Sequence, residues 1–213
     1  MTVGVQFFLP NGATVQADDT YRNLSVREQG SVATMSPEPI GVGSSVLFYR
    51  TGLTMPLLAV AGAGLAAGQV FYDAANARWG FVLSCGAAVG TQIPYYIFDV
   101  PFDSNPGFGL QIFDSSGRKT FDILQKYLRV IDMFSSAARP QTSNTYDTSR
   151  AYAVIHMVNG WSIDYHAGNT MMKMSSVSAG VVKTQGVAVD GNQGLNVTYE
   201  QQSTVLVVDV TNY

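Results

Sequence analysis

A chain of 213 residues is long enough for one large domain or two of about 100 residues each, and either size buries a working core. Only 13% of the residues are charged, against ~25% in ordinary soluble domains, while 46% are hydrophobic and 21 are Gly. The net charge of −3, with 12 Lys and Arg scattered along the chain, excludes the basic footprint of a nucleic-acid binder, and so sparse a charge leaves apolar surface that a monomer does not keep apart from its neighbours. The expectation is a subunit of a homo-oligomer.

From the start, Val3, Val5, Phe7 and Leu9 alternate with Gly4, Gln6 and Phe8, the period-two pattern of a half-buried strand. Asn11-Gly12 supplies a turn, and a second strand near Thr14 to Gln16 closes a hairpin. "YRNLSVRE" continues the alternation through Leu24 and Val26. "SPEPIGVGS" breaks it, and "SVLFYR" resumes it. The window from Thr51 to Tyr72 carries no charge and reaches the ~20 residues of a membrane span. Pro56, Gly52, Gly62, Gly64, Gly68 and Gln69 dilute it, so it reads instead as the strand "MPLLAVAG" followed by a small-residue loop against which something packs closely. "QVFYDAANARWGFVLS" is two apolar runs about a polar turn, and "PYYIFDVPF" ends the half as a strand.

The second half repeats the plan. "GLQIFDSSG" at residues 109 to 117 matches "GVQFFLPNG" at 4 to 12 in Gly, Gln, Phe and Gly at identical spacing, with an offset of 105 from Gly4 to Gly109. "YLRVI" matches "NLSVR", "AYAVIHMV" is set against "SVLFYR", and "GVAVDGNQGLNVTYE" against "QVFYDAANARWGFVLS". The last step places Asp190 on Asp73, an offset of 117, and "VLVVDV" on "YYIFDV" places Asp209 on Asp99, an offset of 110. In "FDILQKYLRVIDMF" the residues Leu124, Leu128 and Ile131 share a helical face, but the alternation of Leu128 and Val130 favours a strand. The predicted fold is all-β, two tandem similar antiparallel β-sandwich-like domains, 1–105 and 106–213, joined in the Pro- and Asn-rich run "PFDSNPGFG".

Candidate chemistry is thin, and the chain is read as a non-enzyme with no cofactor and no metal. Cys85 stands alone, which excludes an intramolecular disulfide; it is read as a small buried hydrophobe in a protein folded under reducing conditions. His156, inside "AVIHMV", is read as a strand or core histidine. His166, two residues from Asp164, is read as half of a surface loop pair, since no nucleophile stands at a recognisable spacing. Asp18-Asp19 are solvated turn caps, and "DGNQG" at 190 to 194 is a turn rather than a phosphate cradle. Tyr95, Tyr96, Trp79, and Trp161 with Tyr165 are the aromatics that would stack on sugar rings if exposed; packing in a core or interface is their expected use. "MMKM" at 171 to 174 is expected at a subunit interface. The N-terminal "MTVGVQFFLP" shows no basic stretch leading into an apolar run, so no secretory signal is read there.

The pattern Gly-x-Gln-apolar-Phe-x-x-x-Gly from Gly109, followed by Phe121-Asp122 and then "YLRVI", resembles the opening of small virion proteins from the tail-tip and tail-fibre region of tailed bacteriophages. The likeness covers about 25 residues of the second half; the first half departs from it at Leu9, Pro10 and Gln16-Ala17. The resemblance implies a structural component of a phage tail tip or fibre, made in the host cytoplasm and located in the virion. It further implies a trimeric collar or adaptor between tail proteins, three two-domain chains presenting six similar modules to a sixfold tube. The alternative is a host-receptor or carbohydrate-binding module of the same tail. A tail-associated hydrolase is a third, lesser alternative.

Overall fold

The computed structural model describes residues 4–8, 14–18, 23–37, 43–102, 109–137, 141–164, 169–191 and 199–213. Strands β1 (Gly4–Phe8) and β2 (Thr14–Asp18) form a first hairpin, followed by β3 (Ser25–Ala33), β4 (Ser36–Pro37), β5 (Ser44–Arg50), β6 (Leu57–Val60), β7 (Ala66–Asp73), β8 (Arg78–Cys85) and β9 (Gln92–Asp99). A second hairpin, β10 (Gln111–Phe113) and β11 (Lys119–Asp122), precedes β12 (Val130–Ser136), β13 (Thr142–Thr145), β14 (Tyr152–Val158), β15 (Trp161–Asp164) and β16 (Asn169–Ser178). The chain closes with β17 (Val181–Gly191), β18 (Tyr199–Glu200) and β19 (Ser203–Asp209). Every pairing is antiparallel. The all-β sandwich expected from the short alternating runs is what the chain forms. No α-helix occurs among the described residues; 123–125 is a turn, Tyr127 makes an isolated antiparallel bridge to Ser25, and β12 begins at Val130.

Two large sheets carry the structure. The six-stranded sheet runs β12-β19-β14-β6-β9-β3, and the nine-stranded sheet runs β13-β17-β16-β7-β8-β5-β4 with β15 and β18 attached beside β16. Neither sheet shows a gap at residues 105 and 106, since both contain strands from each half; residues 103–108 of the expected linker lie outside the described residues. The halves meet where β14 pairs β6 (Val154 opposite Val60, Ile155 opposite Ala59) and where β16 pairs β7 (Ser175 opposite Ala66). Reading outward from these seams, the first half places β6, β9, β3 and β7, β8, β5, and the second half places β14, β19, β12 and β16, β17, β13 in the same chain order.

That order corrects two of the pairings made from sequence. β14, in "AYAVIHMV", takes the place of β6 in the six-stranded sheet, not that of β5 in the nine-stranded one. Asp73 lies at the tight turn between β7 and β8, whose counterpart is Ala179-Gly180, both at positive φ, between β16 and β17; Asp190 sits within β17. Alternation marks a strand but carries no information on which sheet receives it, so runs of similar texture are easily exchanged. Asp99 and Asp209 do fall in equivalent places, at the ends of β9 and β19.

The core between the sheets draws on both halves: Phe81, Leu83 and Ile97 from the first pack with Val154, Val182, Val205 and Val207 from the second, all fully buried. Alternate residues of the six-stranded sheet point the other way and bury a second cluster of Ala59, Phe98, Ala153, Ile155 and Val208 beneath Leu24, Leu128 and Tyr213. This second cluster is enclosed because the sheet curls. The extended stretch 126–130 hydrogen-bonds one edge strand through Val26 N–H to Lys126 O (2.8 Å) and Leu128 N–H to Leu24 O (2.8 Å), and reaches the other end of the sheet through Asp209 N–H to Arg129 O (2.9 Å). Ala59 and Ala153 at the centre give the concave face its room.

The window 51–72 is β6, a loop and the start of β7, so Ala66, Ala67 and Gly68 belong to a strand rather than to the expected loop. The close approach expected there is present: a Cβ on Gly68 would stand 2.8 Å from Leu58 Cδ2 across the sandwich. No helix among the described residues is long and apolar enough to cross a membrane.

The two faces differ in energy in a way that one residue type can read. Phe98 is fully buried and Phe113 is about half exposed, so Phe98→Ala should lower the unfolding free energy by about 3–5 kcal/mol and Phe113→Ala by less than about 0.5 kcal/mol, measured from urea transitions.

Candidate functional site

The segment from Gly109 to Tyr127 is organised by one buried carboxylate. Asp122 Oδ2 accepts from Lys119 Nζ (3.0 Å) and Gln111 Nε2 (2.9 Å), and Oδ1 accepts from the backbone N–H of Leu124 (3.0 Å). Lys119 and Asp122 are both buried, and Lys119 Nζ also donates to Phe102 O (3.3 Å). An ion pair removed from water holds only if its remaining hydrogen-bonding capacity is met, and Gln111, the Leu124 N–H and Phe102 O are among the groups that meet it here. Tyr127 completes the clasp: its ring stacks on Phe121 at 5.3 Å, and its hydroxyl accepts from Asp122 N–H and donates to Asp122 O. Burial pushes the Tyr127 phenol above its ordinary value.

The turn of the hairpin is built the same way. Asp114 Oδ1 accepts from the N–H groups of Ser116 and Arg118 and from the Ser116 hydroxyl, while Oδ2 accepts from Arg118 Nε (2.7 Å). These donors, Ser116 first, hold the Asp114 carboxyl far below the usual carboxylate range. Gly117 has φ 79 and Gly109 φ 149, backbone that residues with a Cβ rarely adopt. Gln111, Asp114, Ser116 and Gly117 of the nonapeptide, and Phe121-Asp122, thus have jobs inside the hairpin. Phe113 is 48% exposed, and Leu110, Ile123 and Leu124 are exposed as well.

Of the large hydrophobic side chains exposed among the described residues, half fall between 102 and 133: Phe102, Leu110, Phe113, Ile123 and Leu124, then Val130, Ile131 and Met133 on β12. β12 is an edge strand of the six-stranded sheet and has neither Lys nor Pro to discourage pairing. Its one charge, Asp132, is occupied by the Tyr146 hydroxyl (2.7 Å) on Oδ2 and the Met133 N–H (2.8 Å) on Oδ1.

The other candidate residues are dispersed. His156 is a buried core residue of β14 whose Nε2 hydrogen-bonds Ser175 Oγ of β16, in the other sheet, at 3.0 Å; its Nδ1 has no partner among the described residues. Burial pushes the imidazole down to about 4. His166, Tyr165, Asp19 and residues 192–194 lie outside the described residues, as do the side chains of Asp164, Asp18, Asp190 and Gly191. Cys85 is buried, 3.3 Å from Ser44 Oγ. Among the described residues no group of three His, Cys, Asp or Glu side chains stands close enough to hold a metal ion.

The aromatics proposed for sugar stacking are packed rather than laid out as a ladder. Tyr95 is buried with its hydroxyl on Glu28, Trp79 donates Nε1–H to Leu53 O (3.0 Å), Tyr96 packs against Phe98 and Tyr213, and Trp161 packs against the cluster of Ala67, Met172, Met174 and Val189. That cluster also corrects the expectation for "MMKM". Met172, Lys173 and Met174 are buried inside the chain, because the β16 residues that the sequence leaves apolar are covered by β15 and by Ala67 of β7. The signal that sequence reading missed is the exposed set around Phe113, whose alternation matches that of any buried strand.

Compared with family models, with curated proteins and with solved structures, the chain matches none.

Two measurements follow from this chemistry. Asp122→Ala removes the carboxylate that pairs with the Lys119 ammonium, and amide exchange should show residues 109–127 losing protection while β14 and β19 keep theirs. For His156, whose value is lowered on folding, the unfolded chain binds a proton between pH 6.5 and about 4 that the folded chain does not. Its contribution is full above pH 6.5 and is lost as pH falls toward 4. Wild type should lose about 2 kcal/mol more than His156→Gln between pH 7.5 and pH 5, in urea titrations at the two values.

Proposed function

We propose that the chain is a structural subunit of a homo-oligomeric assembly, a collar or adaptor of a phage tail tip or fibre, and that it joins its neighbours through the second hairpin and β12. The observation that carries this reading is the concentration of exposed apolar side chains on the second hairpin and β12. The bonds to Asp122 hold the hairpin together while Leu110, Phe113, Ile123 and Leu124 stay exposed on it. Apolar area left in water on a chain with 13% charged residues is area that association removes from water. The resemblance of this same stretch to tail-tip proteins supplies the kind of assembly.

The recurring strand order supports, within this reading, an ancestral duplication in which each half supplies a comparable module, so that a trimer offers six. The hairpin of the second half then serves the contact and β1-β2 stands in the equivalent place.

The mass in solution tests it. Wild type at micromolar concentration should run as a trimer, and Leu124→Glu combined with Met133→Lys should run as a monomer with an unchanged thermal midpoint, since both side chains are more than half exposed. A wild-type chain that is monomeric at that concentration, and absent as a trimer from assembled particles, would overturn the reading.

A further inference from the structure

Among the described residues both ends of the six-stranded sheet are open. β12 and β3 are its terminal strands, and neither contains Lys or Pro. The stretch 126–128 covers β3 only as far as Val26, beyond which Gln29, Gly30 and Ser31 are all exposed. The register tells which backbone groups face the open side. Ser31 stands opposite Pro94, which has no N–H and whose carbonyl accepts from Ala61 N–H (3.0 Å) on the far side. Ser31 therefore makes no ladder bond, and its N–H and C=O, with those of Gln29 and Ala33, point outward. At the other end Asp209 N–H is turned toward the β12 side, where it meets Arg129 O (2.9 Å). Val207 and Val205 face the same way and bond their partners Asp132 and Phe134, which leaves Met133 and Ser135 turned outward. The Met133 N–H holds Asp132 Oδ1 (2.8 Å), one side-chain bond in the place of a strand.

We infer that β12 pairs antiparallel with β3 of a second copy, so that the six-stranded sheet continues from chain to chain. The inference rests on the assembly reading above and names the strands that carry it. A row of unpaired backbone donors and acceptors selects an extended backbone as its partner, and an incoming carbonyl takes the Met133 N–H in place of Asp132. Three features select a second copy as the source of that backbone. Six antiparallel strands set β12 and β3 in opposite directions, so copies repeated head to tail stay antiparallel at every junction. The seam inside the chain already joins equivalent strands, β6 and β14, antiparallel, and β3 and β12 are the equivalent strands left at the outer ends. The contact also covers apolar surface from both sides: Ile131 and Met133 on β12, and Phe102 and Leu124, which flank Gln29 around a hollow of about 220 Å³. Pairing β12 with β12 would stop at two chains, whereas β12 with β3 closes a ring, three chains giving six halves.

Proline removes one outward donor without breaking a ladder inside the chain, which an edge strand tolerates on its solvent side. Ser31→Pro and Ser135→Pro should each keep the circular dichroism of wild type and run as monomers at the micromolar concentration where wild type is a trimer. Mixed in equal amounts they should form a dimer and nothing larger, because the intact β12 of the first meets the intact β3 of the second. In wild type, the Ser31 amide should exchange at least about tenfold more slowly in the trimer than in the diluted monomer. A Ser31→Pro chain that stays trimeric, or a mixture that stays monomeric, overturns the pairing. If Ser31→Pro forms a dimer and Ser135→Pro does not, β12 pairs with itself and the assignment to β3 falls. Should a proline variant lose the wild-type circular dichroism, the exchange measurement decides, and a Ser31 rate that dilution leaves unchanged overturns the pairing. A trimer dispersed by Leu124→Glu with Met133→Lys yet untouched by Ser31→Pro discards strand pairing and leaves the assembly reading standing, while a monomeric wild type overturns both.

Discussion

The structure depends on one constraint: both halves of the chain must meet to complete the core between the sheets. Val154 and Ile155 of the second half complete the sheet of Val60 and Ala59 of the first, and Phe81, Leu83 and Ile97 belong to the same buried cluster as Val182, Val205 and Val207. Parting the halves would return that junction to water, at a cost of ~25 cal/mol per Å² of apolar surface. The ladder bonds at the seam are sparse compared with those inside each hairpin, so side-chain packing, not backbone pairing, holds the halves together there.

From that constraint the position of the polar groups follows. The buried carboxylates Asp99 and Asp209 sit at strand ends and are met by donors there. Asp99 at the end of β9 accepts from Thr54 N–H (2.7 Å) and Met55 N–H (2.8 Å); Asp209, at the same place in the second half, accepts from Thr211 N–H and pairs with Arg150 (2.8 Å) and Arg129 (3.3 Å). One geometric need, a carboxylate closing the end of a central strand, is met by main-chain donors in one half and by guanidinium groups in the other. Between the sheets, Arg50 grips Glu28 with two bonds of 2.6 Å and draws its carboxyl below the usual range, joining β5 to β3 beside the Tyr95 hydroxyl. The pair is partly open to water, so its worth is in fixing the angle between the sheets more than in stability.

The hairpin at 109–127 is a different solution. Among the described residues, the bonds to its Asp122 and Asp114 carboxylates come from within 109–127, and Phe113 and Leu124 stay exposed on it. Exposed apolar side chains on such a clasp are a feature that folding alone does not require.

What the residues alone determined was the local texture. Period-two alternation pointed to strands within "YRNLSVRE", "SVLFYR", "PYYIFDVPF" and "VLVVDV", Gly and Asn marked the turns, and the Gly109 nonapeptide marked the second hairpin, because side-chain alternation and positive φ are properties of neighbouring residues. Tertiary structure decided the rest: that β14 answers β6 and not β5, that Met172 and Met174 are covered while Leu124 and Met133 are not, that His156 meets Ser175 of the other sheet, and that the sheets pass through both halves. Alternation states that a strand has two faces. Which face meets another sheet, and which meets water, is set by partners far away in the chain, whose positions no local pattern encodes.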